Sequence, residues 1–568
     1  MEKKIERAPM GMRLSRGKIL LHFWRNVDSQ DETALFDLVV KNGIVVDGTG
    51  NPWFKADVGI KDGRISDIGE LSSSESKRVL DAKGLVVAPG FIDMHAHSDF
   101  SLLVNPLAES KVRQGVTTEV IGNCGSSAAP LNDFLKEEIK ETSPVLEEAK
   151  LKLDWYSMDG YLKRLERNGI ALNVVPLVGN GNIRALVMGY DSRRSSRSEL
   201  EKMKEVLAET MEEGAVGLSS GLIYPPSCYA DTKELIELCK IVAKYGGIYT
   251  SHIRGEGETL IDSVKEAIEI GKKAGVPVEI SHHKASGKSN WGKVKQTLKM
   301  IDEARSIGVD VTCDVYPYLA GSTGLDALLP AHAWEGGIEK LVEKLKNRKI
   351  RKRLRREMKE GQSNLSIADG WDTIMIVYCK GHREYEGKTI AEIAEQKRID
   401  PFDFVFDLLI EEKASVAIVL FSMCERDMRA VLRHSVSMIG SDSFAIAPYG
   451  VLGKGKPHPR TYGTFPRVLG EYVRRKKLLT LENAIRKMTS FPAQKLRLKD
   501  RGLLRKGMWA DVTVFNPEKI GDKATYASPH QYPVGIKYVI VNGKVVIANG
   551  KHTRELPGKA LRLQTIEK

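Results

Sequence analysis

Six residues of this 568-residue chain combine side-chain types that suit a metal ion with positions that let them meet. His95 and His97 stand two apart in His95-Ala96-His97. On a strand, where side chains alternate, two imidazoles at that spacing point to one face. Cys124 sits between Asn123 and Gly125, His252 follows Ser251, His282 precedes His283, and Asp442 closes Gly440-Ser441-Asp442. Imidazole, thiolate and carboxylate are all zinc donors. Singly, each has a plainer reading. Core and surface histidines account for most HxH pairs, a lone cysteine is commonly an inert buried thiol, and Asp442 alone reads as a helix cap. Together they differ, because each falls at the C-terminal end of a short apolar run. A carboxylate closing a buried strand is costly without a partner. His282 and His283 face opposite ways on a strand, and alternation leaves open which points inward. His332, His382 and His434 lie away from strand ends and read as surface or core residues.

The elements that must position these residues are legible as texture. Eight apolar runs occur: Gly84–His97, Thr117–Gly125, Asn173–Gly181, Ala215–Gly221, Gly247–His252, Val276–His282, Asp310–Tyr316 and Val436–Asp442. Stretches between them, such as Ser196–Glu213 and Thr259–Ala274, show helical periodicity with charged faces. Eight strand–helix units predict an α/β fold, a TIM (β/α)8 barrel over residues 87–485, whose strand C-termini carry the active site. The last unit is distant in sequence. Residues 325–435 exceed an ordinary crossover and are expected to form a mainly helical insertion, a lid or a subdomain. Alternating runs around Asn42-Gly43, Asp62-Gly63 and Asn542-Gly543 carry strong hairpin signals. They predict a small β-sandwich domain assembled from both chain ends, residues 36–86 and 486–568.

Composition narrows the class. Hydrophobic residues make up 42% and charged residues 28%, ordinary for a folded globular chain. The net charge is +13, but 87 basic and 74 acidic residues are interspersed. No basic block with interleaved aromatics points to nucleic acid. No apolar run is long enough to span a bilayer. The six cysteines form no CxxC pair, which argues against a disulfide framework or structural zinc finger and fits a reducing, cytoplasmic setting. Residues 1–35 are rich in Lys and Arg. Their longest apolar stretch, Ile19–Trp24, is interrupted by His22 and too short and polar for a signal peptide. They are expected to be a disordered extension, with Met10 and Met12 as alternative starts. Oligomeric state, homo-oligomer included, is left open.

Several motifs follow one another in order: GFIDMHAH (Gly90–His97), VIGNCG around Cys124, GLSSGLIYPP (Gly217–Pro226), SHIRGEG (Ser251–Gly257), ISHHK (Ile280–Lys284), YPYLAGST (Tyr316–Thr323), IGSD (Ile439–Asp442) and HPRTYGTFPR (His458–Arg467). As a set they resemble the N-acyl-D-amino-acid deacylase (D-aminoacylase) family of the amidohydrolase superfamily. RGLLRKGMWADVTVF (Arg501–Phe515) looks like that superfamily's return to the small β domain. The resemblance covers about Phe36 to His552. It implies a zinc enzyme in which Cys124, His252 and His282 hold a tightly bound zinc. His95, His97 and Asp442 match a second, weaker position, with the cysteine able to bridge. Family members read SH, a variable residue, then Lys, which selects His282 over His283. Lys284, Tyr224, Tyr316, Ser322 and Arg460 match positions that bind the substrate's carboxylate or amide. Arginine suits a carboxylate because it grips both oxygens; the alternative for Lys284 or Arg460 is a surface salt bridge. The chain departs from the family at Ser443 and Ser227, where glycine is usual, and its Phe444–Pro457 segment is longer.

The implied reaction is hydrolysis of an N-acyl amino acid or short peptide, with D-stereospecificity resting on the resemblance alone. Asp442 is expected to take a proton from water and return it to the departing nitrogen. Two competing readings are a cyclic-amide hydrolase of the hydantoinase or dihydroorotase type and a catalytically dead scaffold. Many of the former bridge two metals with a carboxylated lysine on the fourth strand, and Ala215–Gly221 contains none. The latter should have lost donors, and all six are present.

Overall fold

The structure is a computed structural model that describes residues 35–73, 76–363 and 365–563. All but the last residue of the expected N-terminal extension lies outside the described residues. Eight parallel strands form the centre: β1 (Phe91–Asp93), β2 (Val116–Ile121), β3 (Asn173–Pro176, resuming at Val178–Gly179), β4 (Gly217–Gly221), β5 (Ile248–His252), β6 (Val278–Ile280), β7 (Val311–Val315) and β8 (Ser437–Ile439). Parallel pairing runs from β1 through β3, from the second part of β3 through β7, and from β7 to β8. The ring closes between β8 and β1. Met94 N–H donates to Ile439 O at 3.2 Å, Asp442 N–H to His95 O at 2.8 Å and His97 N–H to Ser443 O at 3.0 Å.

Helices cover the barrel for reasons local to the sequence. Arg197–Glu212 begins with a reciprocal capping box between Ser196 and Glu199 and buries Met203, Leu207 and Met211, one stripe of an amphipathic helix. Leu260–Ala274 buries Val264, Ala267 and Ile270 and stops at Gly275, whose φ of 69° ends the helix.

The run Gly84–His97 is two strands, not one. Val86–Pro89 belongs to a second sheet and Phe91–Asp93 to the barrel. Between them a side chain at Gly90 would collide with Thr117. That second sheet has nine strands drawn from both chain ends, and Val86–Pro89 pairs antiparallel with Val512–Phe515 at their junction. Its hydrogen bonding is continuous through one sheet. Asp62-Gly63 and Asn542-Gly543 turn hairpins with both residues at positive φ, as the twist of such turns requires. Asn42-Gly43 does not. Leu38–Val45 runs straight through it, with Asn42 at φ 61° in a bulge whose N–H donates to Asp57 at 2.8 Å.

The segment between β7 and β8 is mainly helical, and it also carries a small sheet. Gly321–Gly324 and Ile374–Cys379 flank Val416–Leu420 in an antiparallel three-stranded sheet. Four helices, from Gly337–Lys346 to Pro401–Glu411, pack on it around a separate core containing Leu341, Ile376, Phe404 and Ile418. Helix Glu425–Arg433 packs on β7 and β8 as a barrel helix. No helix among the described residues is long and apolar enough to cross a membrane.

The β1–β8 seam holds a buried ion cluster. Lys111, fully buried, places Nζ 2.8 Å from Asp93 Oδ2, 2.8 Å from Glu119 Oε1, 2.7 Å from Ser441 Oγ and 3.1 Å from Ser443 O. Asp93 Oδ1 in turn accepts from Ser441 N–H at 2.7 Å. Lys111→Met would leave two carboxylates facing each other without a cation, which costs about 3–5 kcal/mol. Denaturant unfolding should show that loss as a lowered midpoint; an unchanged midpoint would mean the cluster does not hold the seam.

Candidate active site

His95 and His97 follow β1, Cys124 follows β2, His252 ends β5, and His282 and Asp442 follow β6 and β8, so all six rise from one rim of the barrel. Cys124 Sγ lies 3.3 Å from His95 Nε2, 3.6 Å from His252 Nδ1 and 3.5 Å from His282 Nε2. Asp442 Oδ1 lies 3.0 Å from His97 Nε2 and 3.7 Å from His95 Nε2. Three overlapping triads have donor atoms within 4.8 Å of one another: His95/His97/Cys124, Cys124/His252/His282 and His95/His282/Asp442. The structure also decides between adjacent histidines. His282 faces the cluster, whereas His283 Nε2 meets Thr297 Oγ1 at 2.7 Å on the covering helix.

The backbone is bent to achieve this. Cys124, His282 and Asp442 have φ of 53°, 35° and 50°. That left-handed region costs a non-glycine residue on the order of 1 kcal/mol or more, and such strain concentrates at functional sites.

The donor set fits a zinc ion. One thiol proton satisfies one imidazole, yet three imidazole nitrogens crowd a single sulfur. With tetrahedral bonds of about 2.3 Å to sulfur and 2.0–2.1 Å to nitrogen, neighbouring donors sit about 3.5 Å apart, which is the spacing seen. Burial holds His252 well below its ordinary pKa, lowers His282 and takes His95 to about 3, so the imidazoles are neutral with lone pairs available. Burial, then the charges of Asp442 and Asp314, pushes the Cys124 thiol well above its usual range. A cation against the sulfur is what would draw it into the thiolate form.

A ring of partners orients the donors. Glu256 Oε1 lies 3.0 Å from His282 Nδ1 and also pairs with Lys284 Nζ, which is 2.8 Å from the same ring nitrogen. Asp314 Oδ1 accepts from His282 N–H at 2.9 Å, and its Oδ2 is 3.3 Å from His95 Nδ1. Burial raises Asp314 to about 7. Neither carboxylate stands out in sequence as a candidate. Glu256 lies inside the SHIRGEG motif and Asp314 precedes Val315-Tyr316 at the end of β7, so strand-end position was the available signal.

His97, Cys124, His252, His282, Glu256 and Asp442 line a cavity of about 670 Å³. Tyr224, Tyr316, Ser322, Lys284 and Arg460 all border it. Tyr224 Oη lies 2.9 Å from Thr323 Oγ1, and burial keeps its phenol protonated. Ser322 donates to Ile418 O at 2.9 Å, so its proton is committed to the insertion sheet. Arg460 is buried, not a surface group, and its Nη1 lies 2.8 Å from Asp442 Oδ2. Burial alone would raise Asp442, but Arg460 and the neighbouring imidazoles outweigh it and hold the carboxyl well below its usual range. His458, another residue the sequence reading left aside, accepts from Arg460 N–H at 3.0 Å and fixes the start of its helix. Ser443 donates to Ser441 at 2.9 Å, and Ser227 accepts from Gly221 N–H at 2.9 Å. Both unusual serines therefore brace strand ends.

Comparison with known proteins places this geometry in context. The amidohydrolase family profile matches residues 78–547, and that of the urease alpha-subunit N-terminal domain matches residues 6–90. The chain is 38% identical to N-acyl-D-glutamate deacylase of Alcaligenes xylosoxydans xylosoxydans over 526 residues, covering 93% of this chain and 96% of that one. It is 35% identical to D-aminoacylase of the same organism, covering 94% and 99%. The crystal structure of N-acyl-D-glutamate deacylase from Bordetella bronchiseptica, complexed with zinc and a phosphonate inhibitor that mimics the tetrahedral intermediate, superposes with a TM-score of 0.78. It shares 34% identity and covers 93% and 99% of the two chains.

Glu256 touches a donor ring without being a donor, and partners of that kind are worth about 10–100-fold in metal affinity. Glu256→Gln should weaken zinc binding by that factor in a chelator competition assay while the fold persists. Unchanged affinity would remove Glu256 from any role in holding His282.

Proposed function

The chain belongs to the amidohydrolase family, and on that premise we propose that it hydrolyses the acyl-amide bond of N-acyl-D-amino acids, giving a carboxylic acid and a free D-amino acid. In this reading Cys124, His252 and His282 hold a tightly bound zinc, while His95, His97 and Asp442 offer a second, weaker position that Cys124 borders. The observation that carries it is the meeting of a Cys-His-His donor set with an ionised Asp442 on the wall of one cavity. Relatives named for this reaction along nearly the whole chain support it.

A bound zinc supplies Lewis acidity, which makes water acidic enough to ionise near pH 7 and polarises a carbonyl. The chain's own groups do the rest. Asp442 Oδ1 takes the proton from the attacking water and delivers it to the departing amide nitrogen, serving as base and then acid. Tyr224, kept protonated, donates to the acyl oxygen as negative charge develops there. Arg460 receives the substrate's α-carboxylate through its two-pronged guanidinium, with Tyr316 beneath it, 4.6 Å from guanidinium carbon to ring centre. Lys284, tied to Glu256, acts less on the substrate than on the orientation of His282.

The cyclic-amide reading finds no support at β4, which presents Ser219 and Ser220 rather than lysine. Both hydroxyls are engaged, Ser219 with Gly122 O and Ser220 with Tyr249. Asp442→Asn should keep its zinc but lose about 10²–10⁴-fold in kcat/KM on N-acetyl-D-amino acids; near-normal turnover at full zinc content would refute the assignment. Chelation should abolish hydrolysis and added zinc restore it, with L-enantiomers turned over more slowly. Activity that survives chelation, or that prefers L-substrates, would contradict the proposal.

A further inference from the structure

Cations available to a substrate are scarce in this cavity. Among the described residues lining it, Lys284 and Arg460 are the only lysine and arginine. Both are already ion-paired, Lys284 to Glu256 and Arg460 to Asp442. One α-carboxylate can share Arg460. A second carboxylate on the same substrate would find no cation left.

What it would meet instead is the part of the cavity wall contributed by helix Asp133–Thr142 and the inserted segment. Two carboxyls open there, Glu138 and Asp326. Burial raises them to about 7 and about 6, so both are largely ionised at pH 7.5 and would repel a further carboxylate. Ile139, Trp334, Leu365 and Leu420 line the cavity as well, with Tyr190, which hydrogen-bonds Glu138. Tyr190 and Trp334 stack with ring centres 6.4 Å apart.

We propose that the substrate of this enzyme carries a single carboxylate, its α-carboxylate, and that its side chain is large and not acidic, with Glu138 and Asp326 acting against acidic side chains. One relative is a deacylase of N-acyl-D-glutamate; this chain, by its charge inventory, discriminates against that substrate. The inference rests on the N-acyl-D-amino-acid reading above.

The test is a panel of N-acetyl-D-leucine, N-acetyl-D-phenylalanine, N-acetyl-D-glutamate, N-acetyl-D-aspartate and N-acetyl-D-lysine assayed with the zinc-loaded enzyme at pH 7.5. The neutral substrates and the lysine derivative should each exceed both acidic ones by at least about tenfold in kcat/KM, the ratio set by each 1.4 kcal/mol of discrimination. Glu138→Gln/Asp326→Asn should raise the glutamate-to-leucine ratio at least threefold. An acidic substrate that equals or exceeds the neutral ones, or a ratio the double variant leaves unmoved, overturns the inference while the deacylase reading stands. Failure to hydrolyse any of the five overturns that reading itself.

Discussion

The closing seam of the barrel is the constraint on which everything else depends. His95 and Asp442 are far apart in the chain, yet the backbone bond from Asp442 N–H to His95 O, 2.8 Å long, makes them neighbours. Without the seam that this bond helps to close, β8 would leave an open sheet edge and the second candidate donor group would not assemble. Backbone hydrogen bonds alone do not select the register, because a one-residue slip exchanges the two faces of a strand. Lys111 supplies the selection. Its ammonium binds Asp93 of β1, Glu119 of β2 and the chain after β8 at once, a pattern that only one register satisfies. A buried ion cluster is weak evidence for net stability, but its geometry is a strong specification.

From that seam the strain at the site follows. A strand end delivers a side chain along or across the barrel axis, while a metal needs donors converging on a point. Cys124, His282 and Asp442 close the difference by adopting left-handed backbone. These are three of the six donors, from three different strands. The surrounding barrel over-determines them: Asp314 bonds the His282 N–H, Gly122 is tied through Asp99, and Asp442 N–H is bonded to His95. Rigidity in the scaffold is thus what allows unfavourable φ values at the rim.

Much of this was legible in sequence because it depends on short-range periodicity. Eight apolar runs, five of which carry candidate donors at their C-terminal ends, give the barrel and its functional face together. The failures are equally physical. Asn42-Gly43 has turn chemistry, but a left-handed residue serves a bulge as well as a turn, and the pairing of Leu38–Val45 with Phe54–Lys61 decides which. His282 and His283 could not be separated by alternation, since a three-residue strand followed by a left-handed residue has no lasting period. The inserted strands were missed because helices of charged residues dominate the composition of that segment. Glu256, Asp314 and Lys111 escaped notice because a carboxylate or ammonium reads as surface until its burial is known.

The insertion explains why such different chemistries share one cavity. The barrel rim supplies charge, and all of it is balanced internally: Arg460 against Asp442, Lys284 against Glu256. The inserted sheet supplies the opposite wall through Gly321–Gly324, whose Ser322 hydroxyl is held by Ile418 and whose Thr323 meets Tyr224. A polar strand edge therefore lines the cavity beside Tyr224, and the apolar side chains of the same insertion, Trp334, Leu365 and Leu420, line it as well. Reaction chemistry is fixed by the barrel, whose donors tolerate little variation in position. In the proposed reading, recognition of the rest of the substrate falls to a separately cored segment.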